Sequence, residues 1–303
     1  MTQELEQAYA HCEAIAHAHY ENFSIGSRLL PRDQRRHLAA LYAYCRGADD
    51  IADEPDFQGD RRAALDAWEA SLDEALDGRA TDPVFAATAH TLATRGLPDA
   101  PLRALLQAFR SDVDFQPFPD FPALRAYCAN SADPVGRLVL GLFDVHEEHL
   151  LALSDDVCTG LQLANFWQDL SVDLAQGRCY LPADEIAAHP GAEAALERRR
   201  SNPAFVALLR AQTKRARALL ASGETLARQL PWRAALEIRL FAHGGLRIVE
   251  RTESLAERIL VERPKLRRAD FALVFTRALR ATTIGTALRA PCSDASKERK
   301  EFA

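Results

Sequence analysis

The chain has 303 residues, 48% of them hydrophobic, which is enough for one or two domains with a sizeable core. Its formal net charge is −6 and it carries no basic block, so we do not expect it to bind nucleic acid. The six cysteines lie far apart and form neither a C-x-x-C pair nor a zinc-binding pattern. We therefore expect reduced thiols in a cytosolic protein.

The sequence contains no membrane-spanning or secretory segment. No stretch reaches the run of about 18 apolar residues that a membrane span requires. The first twenty residues lack the basic region and apolar core of a signal peptide. We therefore expect a cytoplasmic protein, in which any membrane contact is peripheral and at the inner face of the membrane.

The periodic segments of the chain have the helical period, and none alternates like a strand. Prolines near segment starts and glycines near segment ends mark the boundaries. In the first half of the chain, the predicted helices are 2–20, 31–54, 61–76, 83–94, 99–115, 123–132 and 133–143. In the second half, they are 146–175 (as one helix or two), 183–190, 203–230, 231–261 and 269–288.

Two segments are predicted to lack regular structure. The segment 191–202 is polar and includes a short run of arginines, and we interpret it as a mobile loop. The tail 289–303 is polar and predicted to be disordered. The expected fold class is therefore all-α, with one helical domain over residues 1–288 and the acid-bearing helices facing each other across its core.

Gly47 stands out inside the predicted helix 31–54. A glycine at such a position costs about 1 kcal/mol relative to alanine. A glycine inside a helix often reflects a packing constraint. We therefore predict that a bulky group closely approaches the helix at Gly47.

The stretch from Leu161 to Pro182 carries acids on a helix that is otherwise apolar. Asn165, Asp169 and Asp173 follow one another at intervals of four residues and so share one stripe of the helix. A helix that is apolar on most sides belongs in a core, where charge is unstable unless it is paired. The oxygens of Asp and Asn are the ligands that Mg²⁺ prefers, so the stripe predicts a metal site. The alternative is a purely structural ion network.

A second acidic stretch lies at the end of the helix 31–54. Asp49 and Asp53 continue the inward apolar face, with Arg46 and Asp50 beside them. The alternative for these acids is a solvated helix end, because like charges four residues apart cost only about 0.2–0.5 kcal/mol in water. Two inward acid clusters on separate helices predict a site for two or three Mg²⁺ ions that share a diphosphate.

Cations near the acids fit such a ligand. Arg46, Arg137 and Arg178 are candidates to hold diphosphate oxygens, although Arg137 is equally well explained by a structural acid partner. Gln162 is a candidate to orient water, and Tyr180 is better explained by packing than by acid catalysis. An apolar cavity around these groups would suit a hydrocarbon chain and shield a carbocation from water.

The two acid motifs, DDIAD at Asp49–Asp53 and NFWQDLSVD at Asn165–Asp173 followed by GRCYLP, resemble the squalene/phytoene synthase family of head-to-head prenyl synthases. The resemblance runs from NFSIGSRLLP through YAYCRGADDIADE to LRIVER. It implies an all-α isoprenoid synthase fold, Mg²⁺ and a prenyl diphosphate substrate. The metal ligands that it implies are Asp49, Asp50, Asp53, Asn165, Asp169 and Asp173, of which Asp49, Asp53, Asp169 and Asp173 are catalytic. The substrate contacts that it implies are Tyr20, Asn22, Tyr42, Arg46, Arg178 and Tyr180.

Within the family, the stretches ENFSIGSRLLP, NSADPVGRLVLGLF and LQLANFWQDL most resemble the hydroxysqualene-forming members of hopanoid biosynthesis. The phytoene-forming and dehydrosqualene-forming members carry a GxxGE-like run where this chain has SADPVGR, and LRDVGED where it has FWQDLSVD. This resemblance implies conversion of presqualene diphosphate and water to hydroxysqualene, without NADPH, beside a synthase that supplies presqualene diphosphate. The alternatives are head-to-head condensation of two prenyl diphosphates, and a non-enzymatic helical protein that binds divalent cations.

Overall fold

The computed structural model describes residues 2–18, 31–54 and 56–287, with the side chains of 32 and 281–287 excepted, and all regular secondary structure within these ranges is helical. Two predicted site residues, Tyr20 and Asn22, and the predicted tail 289–303 lie outside the described residues. No helix in the described ranges is long and apolar enough to cross a membrane.

The first half of the chain follows the predicted segments closely. Its helices are α1 (Gln3–Ala18), α2 (Arg32–Asp53), α3 (Arg61–Leu76), α4 (Pro83–Arg95), α5 (Ala100–Val113), α6 (Phe121–Ser131), α7 (Asp133–Leu142) and α8 (Glu148–Asp173). The prediction for 146–175 allowed either one helix or two. The structure has one continuous helix, α8, which ends in a 3₁₀ turn at Leu174–Gln176. Pro31 was predicted to be the first helical residue of α2, but it lies at the N-cap and the helix begins one residue later, at Arg32.

The second half departs from the prediction at three places. Its helices are α9 (Ala183–Ala187), α10 (Ala192–Glu197), α11 (Pro203–Leu220), α12 (Ser222–Ala227), α13 (Trp232–Ser254) and α14 (Arg268–Ala287). The prediction of one helix over 203–230 was wrong, because the chain breaks between α11 and α12. There Gly223 packs so closely on α13 that an added Cβ would lie 2.7 Å from that of Ala242.

The other two departures concern the segment 191–202, which contains α10, and the end of α13. The segment 191–202 was predicted to be mobile, but it contains α10 and is closed by Asn202, whose side-chain amide donates to the carbonyl of Gly191 at 2.8 Å. The predicted helix 231–261 ends at Ser254 instead, and the turns that follow bring Ile259 and Leu260 into the core at 0% exposure.

Two main hydrophobic cores place the acid-bearing helices. In one core, α2 packs against α1, α4 and α5, around Tyr44 and Leu65. In the other, α8 packs against α11 and α13, around the fully buried Trp167 and Phe205. Each acid motif therefore ends a helix that is fixed along its length by apolar contacts, which makes the positions of the carboxylates reproducible.

Gly47 on α2 lies against the indole ring of Trp68, as the sequence predicted. A Cβ added at Gly47 would lie 2.3 Å from Cη2 of Trp68 and 2.7 Å from Cζ2. We expect Gly47→Ala to lower the free energy of unfolding by about 1–3 kcal/mol, because the overpacking exceeds the gain in helix propensity.

Gly244 on α13 is the matched control, because no described atom would lie within 4 Å of an added Cβ there. Gly244→Ala is expected to raise the free energy of unfolding by up to about 1 kcal/mol through helix propensity alone. Urea denaturation of the two variants measures both values. An equal gain in stability from both substitutions would contradict the packing account.

A buried ion cluster fastens α14 to α13. Asp270 is 2% exposed, and its carboxylate accepts from the side chain of Arg247 at 2.7 Å and from Arg251 at 2.8 Å. The backbone N–H of Arg267 donates to it at 2.7 Å. Burial alone would raise the pKa of Asp270, but these hydrogen bonds lower it to about 2. The stretch LRIVER, which supplies both arginines, thus anchors the last described helix.

We expect Asp270→Asn to lower the free energy of unfolding at neutral pH by about 3–5 kcal/mol, since it leaves two arginines without their buried partner. A lowered pKa means that this contribution is present above the unfolded-state value near pH 4 and is lost as the pH falls towards 2. The stability gap between the two proteins should therefore narrow below pH 4 in urea titrations. The control is Asp77→Asn in an exposed pair with Arg79, which should change stability by less than about 1 kcal/mol. A gap that is constant between pH 7 and pH 2 would contradict the assignment.

Candidate active site

One pocket of about 460 Å³ is lined by both predicted acid motifs. Asp49 and Asp53 reach it from α2, and Asp169 and Asp173 reach it from α8. Six further residues that the sequence analysis proposed for the site line the same pocket, namely Tyr42, Arg46, Gln162, Asn165, Arg178 and Tyr180. The structure therefore brings together residues that are more than a hundred positions apart in the sequence.

The pocket exists because intervening helices hold α2 and α8 on opposite walls. The helix α2 packs against α5, α5 packs against α6, and α6 packs against α8. Apolar lining comes from Leu105 and Phe109 on α5 and from Val135 on α7. Hydrocarbon surface and carboxylates thus face one space, which suits a ligand with an anionic head and a long apolar body.

Arg46 forms ion pairs with acids of the first motif. Its guanidinium lies 3.2 Å from Asp49 and 3.1 Å from Glu54, and it also pairs with Asp50. Asp50 itself is directed to this ion pair and does not line the pocket, although the resemblance placed it among the metal ligands. Arg46 therefore gathers three acids at the end of α2 and leaves Asp49 at the pocket wall.

Arg178 connects the two acid motifs. It lies just after the 3₁₀ turn that ends α8, and its Nη2 lies 2.9 Å from Oδ1 of Asp53 at the end of α2. The same nitrogen donates to the backbone carbonyl of Asp112 at 3.4 Å. One guanidinium therefore joins the end of the second motif to the first across the pocket.

Arg263 was missed by the sequence analysis. Its Nη2 donates to Oδ2 of Asp169 at 3.1 Å, and its Nε makes a second bond to the same carboxylate. The neighbouring Gln168 fixes this segment by donating to the carbonyl of Pro264 at 2.8 Å. Arg263 lies in a turn without periodicity, so its sequence position gave no signal.

Two carboxyls of the motifs have raised pKa values. Burial raises the pKa of Asp49 to about 6, against the lowering effect of Arg46. Burial and then Asp169 raise the pKa of Asp173 to about 7, with Arg178 opposing and Asp53 adding to the increase. The carboxylate of one motif thus acts on that of the other. Crowded acids with raised pKa values are typical of functional sites, because a cation can relieve their repulsion.

Asp112 at the end of α5 is a third such acid, and it too was missed by the sequence analysis. It is 8% exposed, and the hydroxyl of Tyr127 donates to its two oxygens at 2.7 and 2.9 Å. Burial raises its pKa to about 7, and the bond from Tyr127 opposes this. Asp112 shares a face of α5 with the pocket residues Leu105 and Phe109. A carboxyl on an otherwise apolar face of a predicted helix could therefore have identified it from the sequence.

Aromatic rings form one wall of the pocket. Tyr180 stacks on Phe166 with 3.8 Å between ring centroids and 8° between planes. Tyr127 lies 6.2 Å from each of these rings. Phe115 contacts Tyr180 at 5.1 Å from behind. This stacking agrees with the interpretation of Tyr180 as a packing residue, and it places π faces beside the acids.

Arg137 does not line the pocket. Its Nε lies 3.0 Å from Oδ1 of Asp155, and its Nη2 lies 2.6 Å from Oδ2, so the guanidinium is held in a bidentate pair between α7 and α8. Of the two explanations that the sequence left open, the structure favours the structural acid partner. Arg137 is therefore not retained among the residues proposed to bind a diphosphate.

The carboxylate and amide oxygens of the pocket fit Mg²⁺ only if a bound ligand supplies further oxygens. In the part of the chain that the structure describes, no three His, Cys, Asp or Glu side chains lie close enough to hold a metal ion by themselves. The pocket nevertheless presents carboxylate and amide oxygens from Asp49, Asp53, Asn165, Asp169 and Asp173, the ligand type that Mg²⁺ prefers. Mg²⁺ usually binds through one or two carboxylates together with phosphate oxygens, which matches two separated acid sets.

Comparison with known proteins agrees with this geometry. The sequence profile of the squalene/phytoene synthase family matches residues 16–270. The hydroxysqualene synthase of Rhodopseudomonas palustris is 35% identical over 247 residues, which are 79% of this chain and 82% of the relative. The phytoene synthase of Mycobacterium tuberculosis is 35% identical over 183 residues, which are 60% of each protein.

Solved structures give the same family. The squalene synthase HpnC from Alicyclobacillus acidocaldarius matches with a TM-score of 0.80 and 39% identity, covering 84% of this chain and 97% of that one. A dehydrosqualene synthase in complex with a ligand matches with a TM-score of 0.84, covering 93% of this chain and 99% of that one. Its identity is 22%, so this second likeness bears on the fold alone.

Proposed function

Because the chain belongs to the squalene/phytoene synthase family, we propose that it is a Mg²⁺-dependent hydroxysqualene synthase, which converts presqualene diphosphate and water to hydroxysqualene and diphosphate. The family acts on prenyl diphosphates, and the fold is the all-α isoprenoid synthase fold. The observation that carries the proposal is the single pocket in which acids from α2 and α8 face an apolar wall. The similarity to the Rhodopseudomonas palustris enzyme supports the choice of substrate.

The acids of the pocket would hold the metal. Asp49 and Asp53 on one wall, and Asp169 and Asp173 with Asn165 on the other, present oxygens to the same space. Bound Mg²⁺ would supply positive charge to the diphosphate oxygens and so stabilise the leaving group.

Two arginines that line the pocket, and one that pairs with the pocket residue Asp169, would hold the diphosphate itself. Arg46, Arg178 and Arg263 each pair with a carboxylate of a motif in this structure. Their planar guanidinium groups match phosphate oxygens in a bidentate way, which a lysine would not. We propose that these arginines clamp the diphosphate when the carboxylates engage the metal.

The apolar and aromatic wall would control what quenches the substrate cation. When the C–O bond to diphosphate breaks, the positive charge left on the hydrocarbon can be stabilised by the stacked rings of Phe166 and Tyr180. One water oxygen then forms the new C–O bond and loses a proton. We propose Gln162, which lines the pocket, as the residue that orients this water, and its position on α8 places it one turn before Phe166. No nicotinamide is needed for this route.

Product analysis tests the proposal directly. We expect incubation with presqualene diphosphate and Mg²⁺ to give hydroxysqualene without NADPH, with oxygen from isotopically labelled water in the alcohol. Farnesyl diphosphate should not be consumed under the same conditions, so the substrate would have to come from a separate condensing synthase. Formation of squalene only when NADPH is present would instead indicate a reductive enzyme.

A second candidate is head-to-head condensation of two prenyl diphosphates. The observation in its favour is the 35% identity to the phytoene synthase of Mycobacterium tuberculosis over 60% of each protein. The same assay separates the two candidates, because a condensing enzyme would consume farnesyl or geranylgeranyl diphosphate and release diphosphate without presqualene diphosphate being added.

A further inference from the structure

The run Arg198–Arg200 after α10 contains one arginine that differs from its neighbours. Arg198 and Arg200 are exposed, whereas Arg199 is half-buried and directed inward. From the sequence, this run is predicted to be part of a mobile loop. Its middle residue instead contacts α8, which carries pocket residues, and the segment that carries Arg263.

Arg199 lies in a backbone conformation that favours glycine. Its φ is +50°, the left-handed region, directly after α10. The N–H of Arg200 donates to the carbonyl of Ala195 at 3.0 Å, and that of Arg199 donates to Leu196 at 3.1 Å, which is the usual end of a helix closed by glycine. An arginine at this position disfavours the turn, so the benefit must come from its side chain.

The guanidinium of Arg199 is bonded to the last turn of the second acid helix. Its Nη2 donates to the carbonyl of Ser171, which lies midway between Asp169 and Asp173 on α8. Carbonyls in the last turn of a helix lack some of their helical partners and carry partial negative charge, so a cation is favourable there. The contact therefore fixes the turn that presents both carboxylates.

The same guanidinium also reaches the segment after α13. Its Nε lies 3.4 Å from the carbonyl of Leu260, which is fully buried. Three residues later, Arg263 pairs with Asp169. The side chain of Arg199 thus bridges the end of α8 and the segment that carries Arg263, the partner of Asp169.

We infer that Arg199 is a positioning residue, which holds Asp169 and Asp173 on α8, and Arg263 opposite them, in the arrangement that binds a metal–diphosphate group. This rests on the proposed function for the identity of the ligand, but the bridge between the two segments does not. The arginine acts through the backbone of Ser171 and touches neither metal nor substrate.

The variant Arg199→Gly separates the side chain from the backbone turn, because glycine prefers the left-handed conformation. We expect hydrogen–deuterium exchange in residues 169–176 of the metal-free protein to increase, with the melting temperature unchanged or raised. We also expect the Mg²⁺ concentration for half-maximal turnover to rise about 10–100-fold, the usual effect of losing a group that orients metal ligands. Arg199→Lys, which retains one donor, should give an intermediate value.

Arg198→Ala and Arg200→Ala are the matched controls, because each removes one charge from the same run and should behave like the parent protein. Unchanged exchange in residues 169–176 of Arg199→Gly would overturn the inference, as would an equal increase in either control. The exchange measurement needs no substrate, so it stands even if the proposed reaction is wrong. If Arg199→Gly does not fold, Arg199→Lys decides by the same readouts, and parental exchange and Mg²⁺ dependence in it would overturn the inference.

Discussion

Asp49→Asn and Asp169→Asn should each lower kcat by about 10³-fold or more, with little change in helical content. The expected loss follows from removing a carboxylate proposed to hold Mg²⁺, because the bound cation would stabilise the charge that develops on the diphosphate leaving group. Asparagine keeps the size of each side chain, so the apolar packing of α2 and α8 should be retained. Steady-state turnover of presqualene diphosphate, together with circular dichroism, measures both properties.

Stability is a further readout for Asp49→Asn. Burial raises the pKa of Asp49 to about 6, so its ionised form costs free energy in the metal-free protein at neutral pH. Asp49→Asn should therefore melt at the same temperature as the parent or higher, a combination of lost activity and retained stability that marks functional residues.

Matched controls exist on both helices. Asp33→Asn removes the charge of a side chain that is 61% exposed in the first turn of α2, and Glu148→Gln removes that of one that is 83% exposed in the first turn of α8. Both should keep turnover within about twofold, since surface charges contribute little. Full activity in Asp49→Asn or Asp169→Asn would show that the ligand assignment is wrong at that position.

Arg178→Gln and Arg137→Gln should have opposite effects, although each removes an arginine paired with an aspartate. Arg178 lines the pocket and bridges the two motifs through Asp53. Its loss should lower kcat/KM by about 10²–10³-fold, because a bidentate, charge-assisted contact to diphosphate would be lost. Its effect on the free energy of unfolding should be small, since its partner Asp53 is exposed.

Arg137→Gln should instead destabilise the protein and leave kcat/KM close to the parent value. Asp155 is 9% exposed, and removing Arg137 leaves its carboxylate buried without the bidentate partner. Urea denaturation and steady-state kinetics on both variants give the comparison. A loss of kcat/KM in Arg137→Gln at unchanged stability would restore this arginine to the diphosphate site.

Several features of the site could be predicted from the sequence because they depend on local periodicity. The spacing of Asn165, Asp169 and Asp173 defines one stripe on any helix, and the apolar residues around the stripe require that helix to be buried. The position of Asp49 and Asp53 on the inner face of α2 follows from the same geometry. Gly47 showed where a large ring, now known to be Trp68, packs against the helix.

The remaining features depend on contacts between distant segments, which periodicity does not encode. Arg263 lies in an irregular turn, and its pairing with Asp169 spans 94 positions. Arg137 carries the charge expected of a diphosphate ligand, but its direction is set by Asp155 on the neighbouring helix. The polarity of 191–202 suggested mobility, whereas the bonds of Arg199 to Ser171 and Leu260, and the bond of Asn202 to Gly191 within the segment, hold it in place.

The most direct test is a crystal structure of the protein with Mn²⁺ and inorganic diphosphate, with the metal located by its anomalous scattering. The account predicts Mn²⁺ bound by α2 carboxylates (Asp49, Asp53) and by α8 carboxylates (Asp169, Asp173), with one diphosphate between the two sets. Metal bound at a single helix regardless of diphosphate, or diphosphate bound away from this pocket, would contradict it.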